Sequence, residues 1–211
     1  MRVLIITHPR SGGTTLTKWL SKELGYNCIN EPDYEEANDK IKLAAESDDN
    51  IVAKIFPYRL TQNNINVESF IKTYDKVIFH LRTNPLDVAI SLVHSKITRN
   101  FNLEYTLDND FIKTNEDKII YEIEVVKNFY YQDVKKYFNK DLFYTTYEDV
   151  YNTGNDIDKI KNYIGIDKLE YIDLINTKNK YSKSILNLTD LKKEPKIIKH
   201  HSTEKFIKSI I

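Results

Sequence analysis

The chain has 211 residues, 41% hydrophobic and 29% charged, with 31 Lys+Arg against 31 Asp+Glu and a formal net charge of zero. That length suits one domain, residues 1–211, with a sizeable core. The charge balance argues against a nucleic-acid protein that relies on a global positive field, though local basic patches stay open. The single cysteine, Cys28, excludes an intrachain disulfide, and no stretch approaches the ~20 apolar residues of a membrane-spanning helix. The short apolar run in MRVLIITHPR lacks the h-region of a signal peptide, so a reducing, cytoplasmic setting is expected.

In chain order, RVLIIT (2–7) reads as a buried strand, too short for a helix and closed by His-Pro. A helix follows at about 14–24, with Leu16, Trp19, Leu20 and Leu24 on one apolar face. YNCIN (26–30) reads as a short strand and DYEEANDKIKLAAES (33–47) as a polar helix. NIVAKIF (50–56) is a third strand, VESFIKTY (67–74) a helix and DKVIFHL (75–81) a fourth strand. The next helix, 84–97, carries Pro85 in its first turn, where a missing N–H costs nothing. Residues 115–139 form a long amphipathic helix, 141–147 a fifth strand, and 155–166 a helix stopped by Gly165. The Lys-rich tail from about 170 has weak periodicity and receives no assignment. Strands alternating with helices predict βαβ units, hence an α/β fold of three αβα layers around a mostly parallel sheet. Ligands in such folds bind at the carboxyl ends of the strands.

The loop behind the first strand, Pro9-Arg10-Ser11-Gly12-Gly13-Thr14-Thr15, has the composition of an anion cradle. Glycines allow close backbone approach, a helix start offers free N–H groups, and Arg10 brings a fork that fits phosphate oxygens. An ordinary capped turn would have the same composition. The loop lacks the lysine after the glycines that a Walker A motif requires, so it suits a phosphate held without a metal.

PRSGGTTL resembles the 5′-phosphosulfate loop of sulfotransferases that use 3′-phosphoadenosine 5′-phosphosulfate (PAPS). Arg10, Ser11, Gly12, Gly13, Thr14 and Thr15 fall on its positions, with Gly13 where Thr is commoner. HLRTNPLDVAISL (80–92) resembles the family's 3′-phosphate segment, which implies Arg82 and Ser91 as ligands. The interval from Arg to Ser is nine residues here against the family's usual eight. Either Thr83 takes the arginine's position or the turn absorbs one residue; the absence of another nearby arginine favours the second. YEDV (147–150), followed by a helix ending in YIGI, resembles a third family segment and implies Tyr147 near the adenine. The tail lacks the RKG element of the cytosolic branch; Lys192, Lys193, Lys196, Lys199, His200 and His201 offer charge there instead.

The resemblance implies a P-loop NTPase-like sulfotransferase fold, PAPS as co-substrate and PAP as product. It also implies transfer of a sulfuryl group to a hydroxyl or amine. Arg10 would stabilise the bridging oxygen, Lys54 would assist the transferring group, and Glu31 in CINEPDY would be the general base. Phe56 stands where the cytosolic branch has its histidine. A helix-start carboxylate is the plainer reading of Glu31. The histidines form no zinc set, so no metal is expected. The acceptor class stays open among small molecules, saccharides and peptides, with no nucleic-acid partner expected, and the oligomeric state is open. A P-loop nucleotide kinase and a catalytically inactive nucleotide-binding relative are the alternatives.

Overall fold

A computed structural model describes residues 1–30, 39, 42, 43, 46, 50–99, 109–137, 142–166 and 203–210. Five strands run parallel in the order β2-β3-β1-β4-β5: β1 Arg2–Thr7, β2 Asn27–Ile29, β3 Ile51–Ile55, β4 Lys76–Leu81 and β5 Phe143–Thr146. The register sets Ile5 of β1 opposite Lys54 on one side and Ile78 on the other. A strand covered on both faces reads as a continuous apolar run, and VLII does so because every residue of Val3–Ile6 is buried.

Side-chain alternation divides the core into two layers. Val3, Ile5, Val52 and Ile78 face α1 (Gly13–Leu24) and α7 (Ile157–Ile164), meeting Leu16, Leu20, Ile157 and Ile160. Leu4, Ile6, Ala53 and Phe79 face the opposite way. There they meet Leu60 of α2 (Pro57–Gln62), Phe70 of α3 (Val67–Ile71) and Val126 of α6 (Glu116–Asn128). α4 (Pro85–Thr98) packs on α6 through Ala89, Ile90, Val93, Ile119 and Ile123, with α5 (Asn109–Thr114) against them through Ile112. The last described helix, α8 (Thr203–Ile210), adds Phe206 to the second layer.

The expected strands and the helices at 14–24, 67–74, 84–97 and 155–166 are present within a few residues. The long helix expected over 115–139 is α only as far as Asn128 and continues as a π-turn, Phe129–Val134. That wider turn sits where Phe129, Tyr130 and Val134 all enter the core. α2 was not anticipated: Pro57 punctuates the sequence, yet it stands in the first turn, where proline is tolerated. Nearly all of the polar helix expected at 33–47, and residues 167–202 of the tail, lie outside the described residues.

Two tyrosines secure β4 beyond its pairing with β5, which covers Ile78 to Leu81. The Tyr163 hydroxyl accepts from Val77 N at 3.1 Å and lies 3.2 Å from Val77 O. The Tyr130 hydroxyl accepts from Arg82 N at 3.2 Å and donates to Arg82 O at 2.7 Å. Tyr130 is the more deeply buried, and burial pushes its phenol pKa far up, so it stays a neutral donor. Leaving buried backbone groups unpaired costs about 1–3 kcal/mol each. Tyr130→Phe is therefore expected to cost at least about 2 kcal/mol, and Tyr163→Phe less. Urea unfolding of the two variants checks the order.

Candidate active site

The carboxyl end of β1 turns through His8-Pro9-Arg10-Ser11. Ser11 N closes the turn on His8 O at 3.3 Å, Pro9 holds the second position, and Arg10 in the third has φ 66°. This is the pattern of a type II turn, whose third position ordinarily takes glycine. Gly12, at φ 82°, is the N-cap of α1, and its carbonyl accepts from Leu16 N at 3.2 Å. No side chain caps α1 and no acid lies in its first turn. Its leading N–H groups and positive dipole end are thus left to whatever meets the loop.

Aromatic side chains wall the loop. A Cβ on Gly12 would lie 2.7 Å from Tyr147 Cδ2 and 2.9 Å from Tyr151 Cε2, and the Tyr151 hydroxyl donates to Gly12 O at 2.8 Å. A Cβ on Gly13 would meet Thr7 Cγ2 at 2.6 Å. Ser11 is fully buried and its Oγ has no hydrogen-bond partner. An orphaned buried hydroxyl in a loop is a polar group awaiting an acceptor or donor.

Three cationic side chains from three strand ends gather here. Arg10 Nε donates to Ser91 Oγ of α4 at 2.8 Å. Lys54, buried near the end of β3, donates through Nζ to Thr14 Oγ1 at 2.9 Å. Arg82 follows β4. Its Nη1 donates to Arg10 O at 3.4 Å, its Nη2 to Asp87 Oδ2 at 3.3 Å, and its guanidinium lies 4.6 Å from the Tyr147 ring centre. Arg82 Nε is buried without a hydrogen bond, and its nearest carboxylate oxygen is Glu148 Oε1 at 3.9 Å. Burial raises the Glu148 carboxyl above its ordinary range, while Thr83 N and Arg82 hold it down.

Arg10, Ser11, Gly12, Gly13, Thr14, Lys54, Arg82, Ser91 and Tyr147 thus lie in one region, with Thr14 exposed and Thr15 half-buried at its rim. Ser91 meets Arg10 rather than Arg82. Glu31 lies outside the described residues, as do Lys192, Lys193, Lys196, Lys199, His200 and His201. The sequence reading missed Asp87, Glu148 and Tyr151. Asp87 stands one helical turn before Ser91, a spacing visible in the sequence, whereas the approach of Glu148 and Tyr151 to the site is set by tertiary packing.

The buried histidines stay neutral. Burial lowers His8 to about 4 and His80, in β4, to about 3. The Pro9 carbonyl can only accept, so His8 donates to it through Nδ1 at 3.0 Å. Among the described residues no group of three His, Cys, Asp or Glu side chains gathers to hold a metal ion, and no helix is long and apolar enough to cross a membrane.

No protein-family model matches the chain, and no curated protein matches it. Among solved structures it is similar to mouse sulfotransferase SULT7A1 complexed with PAP. The likeness has 18% identity and a TM-score of 0.46, over 80% of this chain. The chain spans 60% of that protein's chain, and no residue assignment rests on the likeness.

Gly12 and Gly165 test the loop against a neutral reference, because φ is 82° at one and 81° at the other. A Cβ on Gly165 meets nothing within 4 Å. Gly165→Ala should cost about 1–2 kcal/mol from the left-handed backbone alone. Gly12→Ala adds the clash with two tyrosines, a further cost of about 1–3 kcal/mol. Thermal unfolding of both variants is expected to separate them clearly.

Proposed function

We propose that the chain is a PAPS-dependent sulfotransferase acting on a hydroxyl or amine of a small-molecule, saccharide or peptide acceptor. One observation carries the reading: Arg10 holds a positive φ in the turn position that favours glycine, although glycines fill positions 12 and 13. A non-glycine residue in that backbone region costs about 1–2 kcal/mol. Strain of this kind persists where the side chain is needed in place, and this side chain is a permanent cation beside an uncapped helix start.

The residues fit a phosphosulfate. The free N–H groups of α1 and the Ser11, Thr14 and Thr15 hydroxyls supply donors, and the loop backbone can approach closely at Gly12 and Gly13. Arg10 and Lys54 supply the positive charge that a developing oxyanion requires, without a Walker lysine. Arg82 and Ser91 form the candidate 3′-phosphate pair, with the Tyr147 ring available to the base. PAPS would bring the sulfuryl group and leave as PAP. Glu31, two residues past the end of β2 in the sequence, is the proposed general base for the acceptor proton.

Adenosine 3′,5′-bisphosphate is expected to raise the Tm in EDTA, as a ligand of the native state does by mass action. Stabilisation by ATP with magnesium and none by the bisphosphate would favour a kinase. Bisphosphate binding without turnover on any acceptor would favour an inactive relative. Arg10→Gly separates function from architecture. Relief of strain offsets the added freedom of the unfolded chain, so stability should stay within about 1 kcal/mol of the parent. The bisphosphate shift should disappear. Retention of the shift in this variant would remove Arg10 from the site.

Glu31→Gln keeps the side chain's size and cannot take the acceptor's proton. With an acceptor found by a panel screen with labelled PAPS, turnover should fall by about 10²–10⁴-fold while bisphosphate affinity holds. Near-normal turnover would move the base elsewhere.

A further inference from the structure

Arg82 is firmly fixed in the site and has two acidic neighbours. Its backbone N–H and C=O both bind the Tyr130 hydroxyl, so the residue cannot slide. Its guanidinium is oriented by Asp87, by the Arg10 carbonyl and by the Tyr147 face. Among its remaining N–H donors, the buried Nε makes no hydrogen bond. Glu148 stands beside that donor with its Oε1 3.9 Å away, too far to satisfy it. The other oxygen, Oε2, accepts from Thr83 N at 3.0 Å. Glu148 therefore sits along the unsatisfied edge of Arg82 without bonding to it.

The charge count on this edge is unfavourable to an anion. One guanidinium faces two carboxylates, Asp87 and Glu148, and also donates to the Arg10 carbonyl. Asp87 is supported independently, in the first turn of α4, where the helix dipole favours a negative charge. Glu148 also opens a helical turn, Glu148–Asn152, and accepts from Thr83 N, yet it is held as a partly buried acid. Its pKa is raised by burial, so its charged form is the costly one. Arg82 does not need it for orientation, because three other contacts fix the guanidinium.

We propose that Glu148 is a specificity-determining residue that restrains binding at Arg82: its carboxylate guards the Nε edge, and a nucleotide 3′-phosphate gains that edge only against its charge. This rests on the sulfotransferase reading, in which Arg82 serves the 3′-phosphate. Glu148 acts through its charge on the Nε edge and not by orienting the guanidinium. Its negative charge lowers affinity selectively for nucleotides that carry a phosphate on the 3′ side.

The test compares adenosine 3′,5′-bisphosphate with 5′-AMP by titration calorimetry. Glu148→Gln retains an oxygen for Thr83 N and removes the charge. It is expected to tighten the bisphosphate fivefold or more and to leave 5′-AMP unchanged, since two charges a few ångströms apart at a partly buried site interact strongly. In an Arg82→Lys background, which keeps a cation should Arg82→Ala not fold, the gain should shrink. A bisphosphate affinity that is unchanged or weaker in Glu148→Gln overturns the proposal, as does equal tightening of both nucleotides. Failure of the parent protein to bind either nucleotide strikes the sulfotransferase reading itself, a distinct result.

Discussion

The hydrogen bond from Arg10 Nε to Ser91 Oγ, 2.8 Å long and spanning 81 residues of sequence, is the interaction on which the geometry of the site depends. It ties the turn after the central strand to α4, an element that packs mainly on α6. The strained φ of Arg10 aims the side chain, Ser91 fixes its reach, and Arg82 Nη1 holds its carbonyl. Because β1 lies between β3 and β4, the same turn also meets Lys54 through Thr14. One strained residue thus gathers groups from both neighbouring strand ends.

Aromatic packing keeps that arrangement from relaxing. The loop backbone passes so close to Tyr147 and Tyr151 that even a methyl group on Gly12 would collide. Tyr151 adds a hydrogen bond to the Gly12 carbonyl, and Tyr147 covers the Arg82 guanidinium. The two rings, 4.6 Å apart between centroids, therefore support the glycine turn and the cation together. Packed interiors resist small shifts, so the cationic groups are organised before any ligand arrives.

Much of this was legible in the residues. Short β-branched runs ending at Gly, Pro or Asn marked β1, β3 and β4, and PRSGGTT marked the turn, because proline and paired glycines at a strand end favour one. The nine-residue interval between Arg82 and Ser91 also has a local account. Arg82, Thr83 and Asn84 join β4 to α4, with Thr83 N bound to Glu148 and the Asn84 side chain accepting from Leu86 N. The helix then begins at Pro85 and keeps Asp87 and Ser91 on one face, four residues apart. What no pattern revealed was pairing across the fold. Nothing in FYYQDV announces that Tyr130 will bind both backbone groups of a residue 48 positions earlier. Nor does YEDV disclose that its glutamate will lie beside Arg82. Such contacts are set by tertiary packing, to which propensity and periodicity are blind.

Around the turn, Arg10 donates to the Ser91 hydroxyl and Lys54 to the Thr14 hydroxyl, contacts that help to aim both side chains. Around Arg82, two carboxylates oppose a single guanidinium. A carboxylate partner must be outcompeted or neutralised by an incoming anion. The Arg82 corner is therefore the part of this site whose occupancy depends on what its acidic neighbours allow.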